Sequence, residues 1–324
     1  MNITIAFKTS DDEKSTIVEN LPNNCNVSFL FNLDGQSRKD LLKKSDILFA
    51  WNISKELKDN EINYLESCRF IQLLSAGADH LPFNSLKEDI LIASNSGAYA
   101  EPMAEHTLGM ILALSKSLVV RHLELSNKIF NNRTLNKSLR GLNCGIVGFG
   151  GIGKEVAKLL RPLNINILAI NTTGTTNEDV AFIGTLKDLD YLLENSDILV
   201  LSLPLNKYSY HLIDKEKLSK MKDDAILINV ARGDIIVEKD LYFHLKENPK
   251  FLAGIDAWWI EPFSHGKFEI NYPFFELQNF LGSPHNSALV ENIINKAIIS
   301  ALINIKRFLA GKNVHSIVKR EDYI

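Results

Sequence analysis

Residues 143–160 read NCGIVGFGGIGKEVAKLL, and few stretches of this size restrict a fold as tightly. An apolar run with the composition of a buried strand leads straight into Gly148, Gly150 and Gly153, and an amphipathic helical pattern opens there. The GxGxxG spacing has a mechanism behind it. Gly148 permits a tight strand-to-helix turn, Gly150 lets backbone amides approach a pyrophosphate, and Gly153 lets helix and strand pack closely. The N–H groups of Gly150, Gly151, Ile152 and Gly153 and the positive end of the helix would then face the phosphates. Glycines can also be plain turn punctuation. With a strand before them and a helix after, dinucleotide binding is the better reading.

From Asn143 onward strand and helix patterns alternate with little interruption. NCGIVGF, NINILAI, DILVLSL, AILINVA and FLAGIDAW are strand-like, with GKEVAKLLRPL, TLKDLDYLLEN, DKEKLSKMK and EKDLYFHLKEN between them. Near-continuous apolar strands separated by amphipathic helices predict a parallel sheet covered on both faces. The N-terminal third has a similar rhythm in ITIAF, DILFAW, FIQLLS and ILIAS, and Ser10 with Glu13 forms a capping box for a first helix. Residues 101–128 carry the longest helical pattern. Its apolar positions (Met103, Leu108, Ile111, Leu112, Leu118, Val119, Leu123) cover more than one face, predicting burial against more than one neighbour. A last helical pattern, 290–312, ends at Gly311. Boundaries are expected near residues 98 and 288, with the last helix returning to the first domain.

Composition excludes several classes. The chain has 324 residues, enough for about two domains, and is 45% hydrophobic and 23% charged, as a packed globular protein should be. A net charge of −3 gives no reason to expect nucleic acid or an anionic membrane as partner. No apolar run approaches the roughly 20 residues that span a bilayer. The N-terminus lacks the apolar core of a signal peptide. Cys25, Cys68 and Cys144 are odd in number and widely spaced, which favours free thiols in a reducing cytoplasm over a disulfide or metal framework.

In an open parallel sheet, ligands gather beyond the carboxyl ends of the strands. Pro204 follows DILVLSL, Arg232 and Gly233 follow AILINVA, Asp256 and then Glu261 follow FLAGI, and NFLGSP leads into His285. Each has a bland alternative: an ion-paired surface arginine, a solvated turn glutamate, a satisfied loop histidine. Their convergence on the rim of the glycine turn favours the functional reading. Hydride exchange between a nicotinamide and a carbonyl carbon needs a proton donor, a cation that orients the carbonyl compound, and a group that keeps the donor protonated. Imidazole as a group titrates near neutrality, so His285 suits the first task. Arg232 offers a planar, permanently charged fork for a carboxylate. Glu261 would favour the imidazolium and fix the ring.

These residues lie in segments that resemble the D-isomer-specific 2-hydroxyacid dehydrogenases over almost the whole chain. The segments are LLSAGADHL (73–81), SGAYAEPMAEHTLGMILAL (96–114), GIVGFGGIG (145–153), LSLPLNKYSYHLI (201–213), INVARG (228–233), GIDAWWIEP (254–262) and SPHNSA (283–288). The resemblance implies an α/β fold of two Rossmann-like domains. A doubly wound dinucleotide-binding domain, 99–288, would be inserted into a discontinuous flavodoxin-like substrate-binding domain, 1–98 and 289–324. It implies a D-2-hydroxyacid dehydrogenase or 2-oxoacid reductase acting on an acid of the glyoxylate, hydroxypyruvate, phosphoglycerate or lactate type. Arg232, Glu261 and His285 would be catalytic, and Ala76 and Gly77 would offer amides to the substrate carboxylate beside Arg232 and His285. The dinucleotide would meet Gly148, Gly150, Gly151, Ile152, Gly153, Asn171, Thr172, Pro204, Ser209, Val230, Ala231, Arg232 and Asp256, the last at the nicotinamide carboxamide. No metal is implied, and the 101–128 region implies a homodimer. Asn286, Ser287 and Ser209 depart mildly from the usual pattern. Tyr99, Trp258 and Trp259 are open to two readings, pocket lining or aromatic packing. The alternative to an enzyme is a dinucleotide-sensing regulator on the same scaffold, similar to the C-terminal-binding-protein corepressors.

One stretch bears on the cofactor. INTTGTT (170–176) ends the second strand of the nucleotide unit, and Asn171 stands where an acidic residue usually holds the adenosine ribose. Asn171, Thr172 and Thr173 would not repel a 2′-phosphate and offer hydrogen-bond donors, which favours NADP(H). No basic residue stands in the run and the next is Lys187, so NAD(H) stays open.

Overall fold

The computed structural model describes residues 1–58 and 60–323. The chain divides into two compact units, residues 1–99 with 290–324, and residues 100–289. The first is built on β1 (Asn2–Ile5), β2 (Asn26–Phe29), β3 (Ile47–Ala50), β4 (Phe70–Leu73) and β5 (Leu91–Ala93), ordered β2-β1-β3-β4-β5 with every pairing parallel. This is the order of flavodoxin-like sheets. All residues of β3 and β4 are buried, as strands covered on both faces must be. Parallel neighbours need crossover connections, here mostly helices. The helix Asp11–Glu19 starts at the expected capping box: Ser10 Oγ accepts from Glu13 N (3.3 Å) and Glu13 Oε2 from Ser10 N (2.7 Å). The helix Ile293–Leu309 belongs to this unit and packs on Asp11–Glu19 and β4, with Phe308 stacked 4.6 Å from Phe70. Arg38 and Glu61 form a buried bidentate pair (2.8 and 2.7 Å), and Arg38 also donates to Leu30 O and Glu56 O. Removing one member of such a pair costs about 3–5 kcal/mol.

The second unit holds β6 (Asn143–Val147), β7 (Asn166–Ile170), β8 (Phe182–Gly184), β9 (Ile198–Leu201), β10 (Ile226–Asn229), β11 (Leu252–Ile255) and β12 (Phe280–Gly282). Their order is β12-β11-β10-β9-β6-β7-β8, again all parallel. The chain winds one way from β6 to β8 and the other way from β9 to β12, so β6 and β9 flank a switch point, where such folds bind ligands. The 101–128 pattern is not one helix. It runs Ala100–Ser115, breaks at Ser117 (φ +50°) and resumes as Leu118–Ser126. Ser115 directs its hydroxyl to Leu112 O, and its carbonyl accepts from Lys137 N, so the helix end is satisfied from outside its own ladder. The expected burial holds for only part of the pattern. Met103 and Ile111 pack inside, whereas Leu118, Val119 and Leu123 are exposed.

The turn after β3 is held by a carboxylate in an unusual state. Glu56 accepts from the amides of Trp51 (3.0 Å) and Asn52 (3.0 Å), while Trp51 O meets His80 Nε2 at 3.0 Å. Burial raises the Glu56 carboxyl to about 7, outweighing the two amides that favour the charged form. The folded chain therefore keeps a proton that the unfolded chain releases at lower pH. The stability this contributes is complete below the ordinary glutamate range and is lost as pH rises through about 7. Glu56→Gln is expected to flatten that part of the profile. Thermal midpoints followed from pH ~4.5 to ~8 should fall in the parent and less steeply in the variant; parallel curves would refute the assignment.

Candidate active site

The glycine turn is set by close backbone approach. A Cβ on Gly148 (φ +98°) would lie 2.6 Å from Leu203 N, and one on Gly153 would lie 2.7 Å from Gly148 O. Gly150 is different: nothing lies within 4 Å of its Cβ position, so it leaves space rather than filling it. Gly148 N and Phe149 N donate to Ile170 O (3.0 and 2.8 Å), and Ser202 Oγ donates to Gly148 O (3.0 Å). The helix Gly151–Leu160 begins here with no side-chain cap. Its first N–H groups are thus left for another acceptor. A cleft of about 560 Å³ opens alongside, lined by Phe149, Gly150, Gly151, Lys154, Asn171, Thr175, Thr176 and Asn177. A cradle of uncapped amides fits the diphosphate of a dinucleotide.

Asn171 lines this cleft, and its side chain also braces its own loop. Oδ1 accepts from Thr173 N (3.0 Å) and Gly174 N (2.7 Å), and Nδ2 donates to Thr175 O (2.8 Å). Thr175 and Thr176 line the cleft, and Thr172 and Thr173 are not among its lining residues. A basic residue is present after all: Lys154, from the first turns of the helix, with Glu178 Oε1 3.9 Å from its Nζ. The run itself gave no sign of it, because the lysine lies in sequence before the second strand.

Beyond β10, Asn229 closes the turn that carries Arg232, accepting from Ala231 N (3.0 Å) and donating to Arg232 O (2.8 Å). Arg232 is half-buried and one guanidinium nitrogen donates to Ala231 O (2.8 Å). Gly233 next to it is obligatory, since a Cβ there would lie 2.4 Å from Trp258 C. That contact seats the arginine turn against the segment 258–261. Glu261 is buried, and its Oε1 accepts from Trp258 N (2.7 Å) and lies 2.8 Å from His285 Nδ1. A carboxylate can only accept, so the proton of this bond is on Nδ1 and Nε2 is the nitrogen left for chemistry. The Phe263 ring meets His285 edge-on at 5.1 Å.

Asp256 has 0% exposure, and both oxygens are engaged. Oδ1 accepts from Ser283 Oγ (2.6 Å) and Asn286 N (3.2 Å), and Oδ2 from Ser287 N (3.2 Å). Burial opposes its charge, but the Ser283 hydroxyl and the imidazoles of His106 and His285 favour it, and the balance holds the carboxyl below its ordinary range. In this geometry Asp256 braces the loop that carries His285. His106 Nε2 stands 3.0 Å from Ser283 Oγ. Neither His106 nor Ser283 was singled out from sequence; the only hint was their place inside motif segments.

The other expected contacts divide by burial. Val230, Ala231 and Ser209 are buried, and Ser209 Oγ donates to Pro204 O (2.7 Å), closing the 204–209 turn. Trp258 and Trp259 pack inside, donating to Ser283 O and Ile236 O (both 2.7 Å), and Trp259 stacks on Phe274. Tyr99, in the first unit, is buried and donates to Leu74 O (3.0 Å). Ala76 and Gly77, also in that unit, are half-buried in the turn after β4, where Ser75 Oγ donates to Gly77 O (2.9 Å). Among the described residues no His, Cys, Asp and Glu cluster suits a metal, and no helix is long and apolar enough to cross a membrane.

Residues 108–287 match the family described as D-isomer specific 2-hydroxyacid dehydrogenase, NAD binding domain. The chain is 30% identical over 251 residues to a hydroxypyruvate reductase of Thermotoga maritima, covering 76% of this chain and 79% of that one. It is 30% identical over 301 residues to a glyoxylate reductase of Thermofilum pendens, covering 88% and 85%. A probable 2-hydroxyacid dehydrogenase from Rhizobium etli, solved with NADP, shares the fold at a TM-score of 0.81 and 20% identity, over 99% of this chain and 98% of that one. The glycine cradle at the switch point and these likenesses agree. This chain belongs to the D-isomer specific 2-hydroxyacid dehydrogenases, oxidoreductases that move a hydride between a nicotinamide dinucleotide and carbon 2 of a small 2-oxo or 2-hydroxy acid.

Proposed function

We propose that the protein is a reductase of small 2-oxo acids such as glyoxylate or hydroxypyruvate, with His285, Glu261 and Arg232 as its catalytic groups. The observation that carries this is the 2.8 Å bond between His285 Nδ1 and the buried Glu261. A nicotinamide dinucleotide held at the Gly148–Gly153 turn would supply the hydride for the carbonyl carbon. The proton comes from His285 Nε2 to the carbonyl oxygen as it becomes a hydroxyl, while Glu261 holds the ring and the Nδ1 proton in place. Arg232 takes the substrate carboxylate in its fork. Asp256 is proposed at the nicotinamide carboxamide as well as in its observed loop contacts. The relatives named for glyoxylate and hydroxypyruvate support the substrate class, and they favour catalysis over a dinucleotide-sensing regulator.

Two finer readings accompany this one. The cofactor is proposed to be NADP(H) rather than NAD(H). The residue at the end of β7 is neutral, Thr175 and Thr176 offer hydroxyls, and Lys154 supplies the cation in the same cleft. The assembly is proposed to be a homodimer formed through the exposed apolar residues of 118–135, where Leu123 is 55% and Phe130 80% exposed. Faces of that kind are usually covered by a partner.

The purified protein is expected to oxidise reduced nicotinamide when given glyoxylate, hydroxypyruvate or a related 2-oxo acid. His285→Ala should lower kcat by a factor of about 10² or more, and Arg232→Ala should raise KM for the acid and also slow turnover. No oxidation across a 2-oxo acid panel with either cofactor would count against the enzyme, and near-normal kinetics in both variants would sink the site. Lys154→Ala should cut kcat/KM for NADPH about tenfold or more and leave NADH use close to the parent's. A strong parental preference for NADH would overturn the cofactor reading. Light scattering should give twice the chain mass, falling to one chain in Leu123→Glu/Phe130→Glu; a monomeric parent would refute the dimer.

A further inference from the structure

The loop that presents His285 is held in part by groups to which the proposed reaction gives no role. His285 has φ +51°, in the left-handed region that a side-chain-bearing residue keeps only when its surroundings impose it. Ser283, two residues earlier, places Oγ 2.6 Å from Asp256 Oδ1 and 3.0 Å from His106 Nε2. Its single proton can serve one partner. Asp256, a carboxylate, accepts only, so the hydroxyl donates to it and must itself accept from His106. His106 Nε2 therefore carries a proton, and its position 3.8 Å from Asp256 Oδ1 favours the same tautomer. On the far side of His285, Asp256 takes the amides of Asn286 and Ser287. Ser283 O also accepts from Trp258 Nε1 at 2.7 Å, which ties the entry of the loop to the segment that carries Glu261.

Three separate elements meet here: the helix Ala100–Ser115 through His106, the end of β11 through Asp256, and the strand exit after β12 through Ser283. Asp256 alone would hold the 286–287 side of the loop. The 283 side is held by its backbone, which donates to Ile255 O (2.9 Å) and accepts from Trp258, and by a hydroxyl whose direction is set by the histidine donor. We propose that Ser283 and His106 are positioning residues that hold the 283–287 loop so that His285 keeps Nδ1 on Glu261 and Nε2 available. This rests on His285 being the proton donor. Neither residue touches a reacting atom in this scheme, and each acts through the loop.

The test compares Ser283→Ala and His106→Phe with the conservative Ser283→Thr and His106→Gln, and uses His285→Ala as reference. Steady-state kinetics are read with glyoxylate or hydroxypyruvate, and the Trp258 indole N–H resonance is read in the protein without added ligand. Ser283→Ala and His106→Phe are expected to lower kcat by about tenfold to a hundredfold, the scale of a catalytic group displaced by about 1 Å. KM for the dinucleotide and the thermal midpoint should stay near the parent's. Ser283→Thr, which keeps the hydroxyl, and His106→Gln, which keeps a donor, should restore most of the rate. The indole resonance should move in the first pair and not in the second. Parental kcat in Ser283→Ala and His106→Phe, with turnover abolished in His285→Ala, would overturn the proposal alone. So would equal losses in all four variants that follow their melting midpoints. Retained turnover in His285→Ala would instead remove the proton-donor reading, and the Trp258 resonance would still report whether the two residues hold the loop.

Discussion

The backbone of Gly148 passes so close to Ser202 and Leu203 that no Cβ fits between them. This contact joins the turn after β6 to the exit of β9, the two strands at which the direction of winding reverses. Because the turn is tight, the helix that follows starts directly at the crevice, and its unpaired amides and positive end face the space that Gly150 leaves open. Gly153 performs the matching task one turn later by letting the helix settle onto Ile146. The site is therefore a consequence of backbone packing before any charged side chain is considered.

On the opposite stretch of the same rim, two buried carboxylates divide the work of placing one histidine. Glu261 binds the ring, and Asp256 binds the loop on which the ring is mounted. For Asp256 the burial that would neutralise it is outweighed by the Ser283 hydroxyl and nearby imidazoles. Trp258 supplies its backbone and indole N–H groups to this network while packing in the core, so packing and polar placement are one device.

Most strands of the fold were legible, since buried parallel strands read as apolar runs. The edge strands β2, β8 and β12 were not, because NVSF, FIG and FLG are short and only partly buried and so carry little hydrophobic pattern. The helical reading of 101–128 was correct in type but missed the break at Ser117, because side-chain periodicity is blind to where a carbonyl such as that of Ser115 finds its partner. Arg232, Glu261 and His285 could be picked out because each lies just beyond a strand end. His106 could not, since it lies on the inner part of a helix more than a hundred residues before the loop it supports. Asn171 lines the cleft, and what the sequence did not show is that its amide also closes its own loop.

Residue order alone determined the alternation of buried strands with amphipathic helices, the glycine turn, and the set of charged groups on its rim. These are local properties, expressed in composition and spacing. Which partner each group faces was decided only by the tertiary structure: Lys154 joining Thr175 and Thr176 in the cleft, the Nδ1 of His285 turning to Glu261, and Ser283 linking His106 to Asp256. Hydrogen bonds and charge pairing fall off within a few ångströms. Such contacts therefore exist only once the sheet has brought distant parts of the chain together.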